Sequence, residues 1–388
     1  MLDSLYIGMS GLTAYSKGLQ TVGNNVANLN TPGFKSSTPC FQDLYDGRAT
    51  AREATRSGSG VAYAQAALNF RQGELRSSTG QLDLAIDGDG LLALRDGDTI
   101  RYARTGRFRI DDDGFVTERS NGLKLTALDP AGTISPISLA DRLLDPPRAT
   151  QVVRFTDNLS PGSTNFAVSG VDLYDANGAK HTLNVSFAPD TAVMQGRWKV
   201  TVTDSNGTPL QIGTLQFHGG IPEPGQDKIE VTLPSSGLTV KLDFSTGVTA
   251  FSSGATSTLR VAKQDGYAAG TLASMSIDDD GQLALRYSNG QTATAGAVAL
   301  ARFADPQRLV QQNDGLFDAT HLPPPRHAKS GDPLVGRLRA GATEASNVDL
   351  SGEFGQLILI QRGFQAASQV VSTSNEMIMQ LFQMRGQG

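Results

Sequence analysis

VGNNVANLNTPGFKSS, residues 22–37, closes a long stretch that reads as a helix yet carries almost no charge. Between Met1 and Thr31 only Asp3 and Lys17 are charged, while Asn24, Asn25, Asn28 and Asn30 crowd the last turns. Pro32 disfavours helical backbone at the residue before it, so Thr31-Pro32-Gly33 ends the run. Apolar side chains fall at Leu2, Leu5, Met9, Leu12, Tyr15, Leu19, Val22, Val26 and Leu29. Steps of three and four residues make a heptad-like helical stripe, not a strand alternation.

The far end repeats the design. Leu350, Leu357, Phe364, Val371 and Ile378 recur every seven residues, and no proline follows Pro333. From Gly355 to Gly388 the only charges are Arg362, Glu376 and Arg385; Gln, Ser, Asn, Ala and Gly occupy the other faces. Neither a solvated face nor a membrane span has this composition. It suits helices touched by protein on most sides, where a lone charge would lose its water. Short amides and hydroxyls can instead hydrogen-bond across helices. Both helices are therefore expected to pack on each other and on neighbouring molecules; a helical hairpin lying on its own domain is the plainer alternative.

The 388 residues suffice for two or three domains. The net charge is −5 and the 33 Lys and Arg form no dense block, so the chain lacks the footprint of a nucleic-acid binder. With 43 glycines and few aromatics, the composition suits a β-rich, loop-rich protein better than a compact enzyme. Cys40, the single cysteine, excludes an internal disulfide. No apolar run approaches the ~20 residues of a membrane helix, which argues against membrane insertion. Asp3, the absence of Lys or Arg before Lys17 and the lack of a continuous apolar core argue against a cleaved signal peptide.

Between the helices the pattern turns to β. LYDANGAKHTLNVSF (173–187) and WKVTVTDSNGTPLQIGTLQF (198–217) alternate apolar and polar residues around Asn-Gly turns. Such strands recur to about residue 262, and Pro146-Pro147 marks a way into this unit. RIDDDGFVTERSNG (109–122) echoes SIDDDGQLALRYSNG (276–290), which predicts one split domain with the unit inserted into it.

Site chemistry is sparse. Aligned on Gly114 or Gly281 as the sixth position of a calcium loop, the aspartate runs put Arg109 or Ser276 at the first and Ser120 or Tyr287 at the twelfth, so plain turns are expected. His181, His218, His321 and His327 have no zinc spacing. There is no nucleophile elbow, phosphate-binding loop or Cys–His arrangement, and no catalytic, metal or cofactor site is expected.

Two motifs at opposite ends carry a resemblance. Ser10-Gly11-Leu12 followed by Asn24, Asn25, Ala27, Asn28, Thr31, Gly33, Phe34 and Lys35 resembles the N-terminal signature of the bacterial flagellar rod and hook proteins. Ser346-Asn347-Val348-Asp349, then Gln361-Arg362-Gly363-Phe364-Gln365-Ala366, is similar to that family's C-terminal signature. Residues 81–117 and 277–317 are similar to the two halves of its shared β domain, and an insert at 150–262 is what its hook members carry.

The resemblance implies an α+β chain whose N- and C-terminal helices pair as a coiled coil lining a tube, with two mostly β outer domains, one split and one inserted. The corresponding segments are an axial helix at 1–32, a connector at 33–70, a split β domain at 71–149 and 263–341, an inserted β domain at 150–262 and a second axial helix at 342–388. Leu5, Leu12, Leu19 and Val26 would pack with Leu357, Phe364, Val371 and Ile378. The implied role is structural: a hook subunit that polymerises with itself and passes torque from rod to filament. Its implied partners are the distal rod protein, the hook cap, the hook–filament junction proteins and the flagellar export apparatus, which would deliver it outside the cell without a cleaved signal. A distal rod-type subunit, favoured by SLYIGMSGL (4–12), and a secreted β-rich adhesin or glycan-binding protein stay open as alternatives.

Overall fold

A computed structural model of the chain describes residues 2–45, 58–190, 194–278 and 280–385. These form two compact units, one from residues 1–140, 275–285 and 293–388 and one from residues 141–274 and 286–292.

The first unit contains both long helices, α1 at Leu2–Ala27 and α2 at Leu350–Arg385. The asparagines explain how α1 stops. Asn28 Nδ2 donates back to the Asn24 carbonyl at 2.9 Å, and Thr31 Oγ1 donates to Asn28 Oδ1 at 3.0 Å. The Asn24 carbonyl, which also accepts the Asn28 N–H at 3.2 Å, thus takes a second donor from a side chain, and Thr31 holds that side chain in place. Gly33 then turns the chain at φ +71°, where a Cβ would stand 3.0 Å from Thr105 Cγ2.

Residues 33–70, expected as a connector, hold a β-hairpin. Strand β1 (Ser37–Tyr45) pairs antiparallel with β2 (Gly58–Leu68), Phe41 opposite Tyr63. Residues 46–57 of that segment lie outside the described residues. The hairpin lies on α1: the Tyr15 and Phe41 rings are 5.5 Å apart, and the Thr21 and Tyr63 hydroxyls share a 2.5 Å hydrogen bond. Pro39 and the lack of alternation hid β1, because proline within a run argues against a strand.

The β core of this unit joins distant parts of the chain. Strand Asp83–Asp87 pairs with Arg337–Ala340, strand Leu91–Asp96 with Leu300–Arg302, and Thr99–Ala103 with Leu316–Asp318. Leu91, Ala93, Tyr102, Ala301, Phe303 and Phe317 pack together at its centre, the Tyr102 and Phe303 rings edge to face at 4.8 Å.

The second unit is a two-sheet β sandwich. One sheet runs in chain order through Phe166–Tyr174, Lys180–Pro189, Arg197–Thr203, Pro209–His218 and Ile221–Pro222. The other is built on Val152–Asn158, Lys228–Leu233 and Leu238–Asp243, with two shorter strands beside them. Alternation puts Leu183, Val185 and Phe187, and Trp198, Val200 and Val202, into a core shared with Phe155, Val240 and Phe244. The expected boundaries at 150 and 262 fall inside this unit. Leu144-Asp145 pairs with Thr271-Gly270, and Arg148 bridges to Tyr267, so the flanks belong to it.

One turn recurs in both units. Asp111, Asp129, Asp175, Asp204 and Asp278 each accept a backbone N–H four residues on through Oδ1, and each is followed three residues on by a glycine at positive φ. The aspartate carboxylates are thus occupied by their own backbone, an Asx-type turn.

Phe187 is fully buried in the sandwich core, its ring edge to face with that of Phe244 at 5.9 Å. Phe187→Ala is expected to destabilise that unit by about 3–5 kcal/mol through the cavity it leaves. Trp198, the only tryptophan, reports the unfolding by fluorescence in urea.

Candidate functional site: the helix pair and its buried junction

The two helices run antiparallel in constant register. A Cβ on Gly8 would stand 2.7 Å from Val371 Cγ2, one on Gly11 3.2 Å from Ala367 Cβ, and one on Gly18 3.3 Å from Ile360 Cδ1. From the other side, a Cβ on Gly363 would meet the Tyr15 ring at 2.7 Å. Each step along α1 is matched by an equal step back along α2. The contact positions Gly8, Gly11, Tyr15 and Gly18 of α1 therefore fall three and four residues apart, and glycine supplies three of these four. Missing side chains let the two backbones approach closely, as small residues do at helix crossings generally.

The leucine stripe lies beside this seam. Leu5, Leu12, Leu19 and Val26 are half-buried on its flank, as are Leu357 and Ile378, while Phe364 is exposed. Of the expected packing residues, Val371 meets α1 directly, at Gly8. The seam was readable in principle: Gly8, Gly11 and Gly18 share the three-and-four spacing with Tyr15 and Val22, which also appear in the stripe.

Below the seam the two motifs come together. The Asn25 side chain pairs with the backbone of Ser37, donating to its carbonyl at 2.8 Å and accepting from its N–H at 2.9 Å. It also donates to Glu353 Oε1 on α2 at 2.8 Å. Asn347 accepts from the Ser36 N–H at 2.8 Å and donates to the Asn69 and Arg71 carbonyls. Asp349 caps α2, accepting from Ser351 N–H at 3.1 Å; Val348 before it is buried, as is Phe34 in the N-terminal motif. Ser346 Oγ accepts weakly from Val348 N–H at 3.4 Å. Gln361 and Arg362 are exposed on α2, away from the junction, and Asn24 is exposed on α1.

Glu344 is the hub, and no role for it or for Arg104 was read from the sequence. Its Oε1 accepts from Lys35 Nζ at 2.6 Å and from Gly73 N–H at 2.8 Å; its Oε2 accepts from Arg104 Nε at 2.8 Å. Lys35 Nζ also donates to the Arg71 carbonyl at 2.7 Å, and Arg104 donates to the Gly90 and Ile86 carbonyls. The Gly33 N–H closes the knot on the Glu344 carbonyl at 2.8 Å. Lys35 and Glu344 are fully buried and Arg104 nearly so. Burial pushes the Lys35 ammonium below its ordinary pKa, the Glu344 carboxylate beside it resists, and Arg104 adds to the depression. Such a group has its donors and acceptors taken up by the protein and holds chain segments together.

Glu353 differs. Its Oε2 is buried without a hydrogen-bond partner, and burial raises its pKa, the Asn25 amide opposing and Asp349 reinforcing the rise. Among the described residues no cluster of His, Cys, Asp and Glu is arranged to hold a metal, and no helix is long and apolar enough to cross a membrane.

Residues 5–35 match the family described as "Flagella basal body rod protein", residues 339–384 the "Flagellar basal body rod FlgEFG protein C-terminal" family, and residues 144–267 the "Flagellar basal body protein FlaE D2 domain". The chain is 30% identical to the flagellar hook protein FlgE of Salmonella typhimurium, over 97% of its own length and 98% of the relative's. It is 29% identical to that of Borreliella burgdorferi, over 99% and 100%. It is 24% identical to the flagellar basal-body rod protein FlgG of Bacillus subtilis, over 99% and 100%. The chain belongs to the flagellar hook protein family. The α1 end, Lys35 and Asn347 all fall within the two terminal matches.

Removing Glu344 leaves Lys35 and Arg104 as buried cations with no counter-charge. Glu344→Ala is therefore expected to cost about 3–5 kcal/mol of stability in denaturant titration, and Lys35→Met less, since Glu344 keeps Arg104. Glu353 holds its proton more tightly folded than unfolded, so its contribution to stability is full below the ordinary carboxylate pKa and is lost as pH rises through the raised value. Glu353→Gln is expected to remove that pH dependence from helix melting followed by circular dichroism. A melting curve equally pH-dependent in the variant would assign the effect to another group.

Proposed function

We propose that this chain, a hook structural subunit, uses its helix pair as the inner wall of a tubular homopolymer and its two β units as the outer part. The observation that carries this reading is the distribution of apolar surface. Within one chain the helices meet where glycine and alanine face Tyr15, Ile360 and Val371. A further set of large side chains stays outside: Leu359 on α2 is 70% exposed, and Tyr6, Met9, Phe354, Ile358 and Phe364 are also exposed. At ~25 cal/mol per Å² of apolar surface, covering this stripe with neighbouring copies is a strong drive to assemble. Large exposed apolar patches on a soluble chain mark interaction sites.

In the assembled tube the leucine stripe and the exposed row of α2 meet other copies, and the pair acts as a coiled coil. The wall that faces the channel is polar and nearly uncharged, which suits the passage of unfolded subunits. The β units, rich in serine, threonine, glycine and asparagine, make the remade contacts that let a tube bend. The role is mechanical, with no catalytic step. The distal rod protein, hook cap and hook–filament junction proteins are the expected neighbours, and the flagellar export apparatus the expected route out of the cell.

Deleting the gene is expected to leave flagellar bases with complete rods and no hooks in negative-stain electron microscopy; bases without rods would move the protein to the rod. Leu359→Asp and Phe364→Asp are each expected to abolish tube formation while Trp198 fluorescence reports an unchanged unfolding midpoint. Tubes of normal length from either variant would remove that face of α2 from the assembly.

A further inference from the structure

Helix α2 is longer than α1, 36 residues against 26. The register that sets Gly8 against Val371 and Tyr15 against Gly363 brings the first residues of α1 level with 375–376 of α2. Residues 377–385 therefore project past α1 by about 13 Å at 1.5 Å per residue. This overhang carries Met377, Met379, Leu381, Phe382 and Met384, all exposed, with Phe382 at 69% and Met384 at 76%. Helix that extends beyond its partner with so many large apolar side chains is built for a surface the single chain does not supply.

The same unit supplies such a surface on other copies. A groove of about 490 Å³ runs between α1, α2 and β2, lined by Gly11, Tyr15, Val61, Gly363, Ala366 and Ala367 among others. Its walls are mostly apolar and its residues mostly small, so it has room for aromatic and methionine side chains. A copy cannot fill its own groove with its own overhang: Phe382 lies twelve residues beyond Val370 at the groove edge, about 18 Å along a rigid helix.

We propose that the overhang 377–385 of one copy seats in the small-residue groove of the next, with Phe382 as its anchor. This rests on the reading of the chain as a polymerising hook subunit and names the contact that links successive copies. Groove and overhang are different surfaces of one molecule, so the contact is head-to-tail. A contact of that kind leaves a free groove at one end and a free overhang at the other, and growth stays open.

The test uses the full chain with Cys40→Ser as background. Phe382→Cys and Ala366→Cys are prepared separately, mixed under polymerising conditions and oxidised with copper–phenanthroline. The mixture is expected to give a covalent dimer at least tenfold more abundant than either variant alone. Ala366 is exposed on α2, so Ala366→Trp is expected to fill the groove, raise the concentration needed for polymerisation at least tenfold and leave unfolding by Trp198 and far-ultraviolet signals unchanged apart from the added indole. Normal tubes with no cross-link between positions 366 and 382, or with Ala366→Trp polymerising like its parent, would overturn the docking and leave the hook role standing. Products that stop at a reciprocal dimer would overturn its head-to-tail character. An unsubstituted chain that builds no tube, in a strain whose hooks survive loss of the gene, would remove the hook reading and the docking with it.

Discussion

The carboxylate of Glu344, held between Lys35 and Arg104 away from water, is the constraint on which the helix-bearing unit depends. Its neighbours come from widely separated parts of the chain: the turn after α1, the stretch after β2, the strand around Arg104 and the approach to α2. A buried ion pair is a poor source of net stability, because desolvation consumes most of the attraction. Its value lies in selection. A misplaced strand or a slipped turn would leave a charge dry and unpaired, and that cost falls on every alternative arrangement. The amides of Asn25 and Asn347 extend the same logic to uncharged groups, each satisfying backbone that no helix or sheet would otherwise reach.

Above that junction the helices meet through a seam in which glycine and alanine let the backbones approach and Tyr15, Ile360 and Val371 fill the space. A second set of large apolar side chains, Leu359 and Phe354 among them, stays exposed on α2. The antiparallel glycine-lined contact also places little weight on any one side chain, so the pair depends on close backbone approach along its whole length.

Much of this was legible in the sequence, and the failures are specific. Helix positions followed from the proline-free, three-and-four patterned ends, and the sandwich strands from alternation at Leu183–Phe187 and Trp198–Val202. The hairpin at 37–68 was not read because Pro39 and a run of small residues erase its alternation. The seam was read only in part, at Tyr15 and Val371, because apolar pattern marks large side chains and does not single out the glycines at 8, 11 and 18 that face α2. Glu344 was given no role, since a single sequence shows a charge but not whether water reaches it. Nothing in the spacing of Lys35, Arg104 and Glu344 announces that two cations and a carboxylate more than two hundred residues further along the chain share one dry site.

The pairing of Leu144-Asp145 with Gly270-Thr271 has an evolutionary consequence. The chain enters and leaves the sandwich on adjacent strands, about 4.8 Å apart. What lies between is topologically a loop with its ends already joined, and closure entropy grows only slowly with loop length. A change in the length of the stretch between Leu144-Asp145 and Gly270-Thr271 therefore costs little closure entropy, so this module can vary in size while those two strands stay paired.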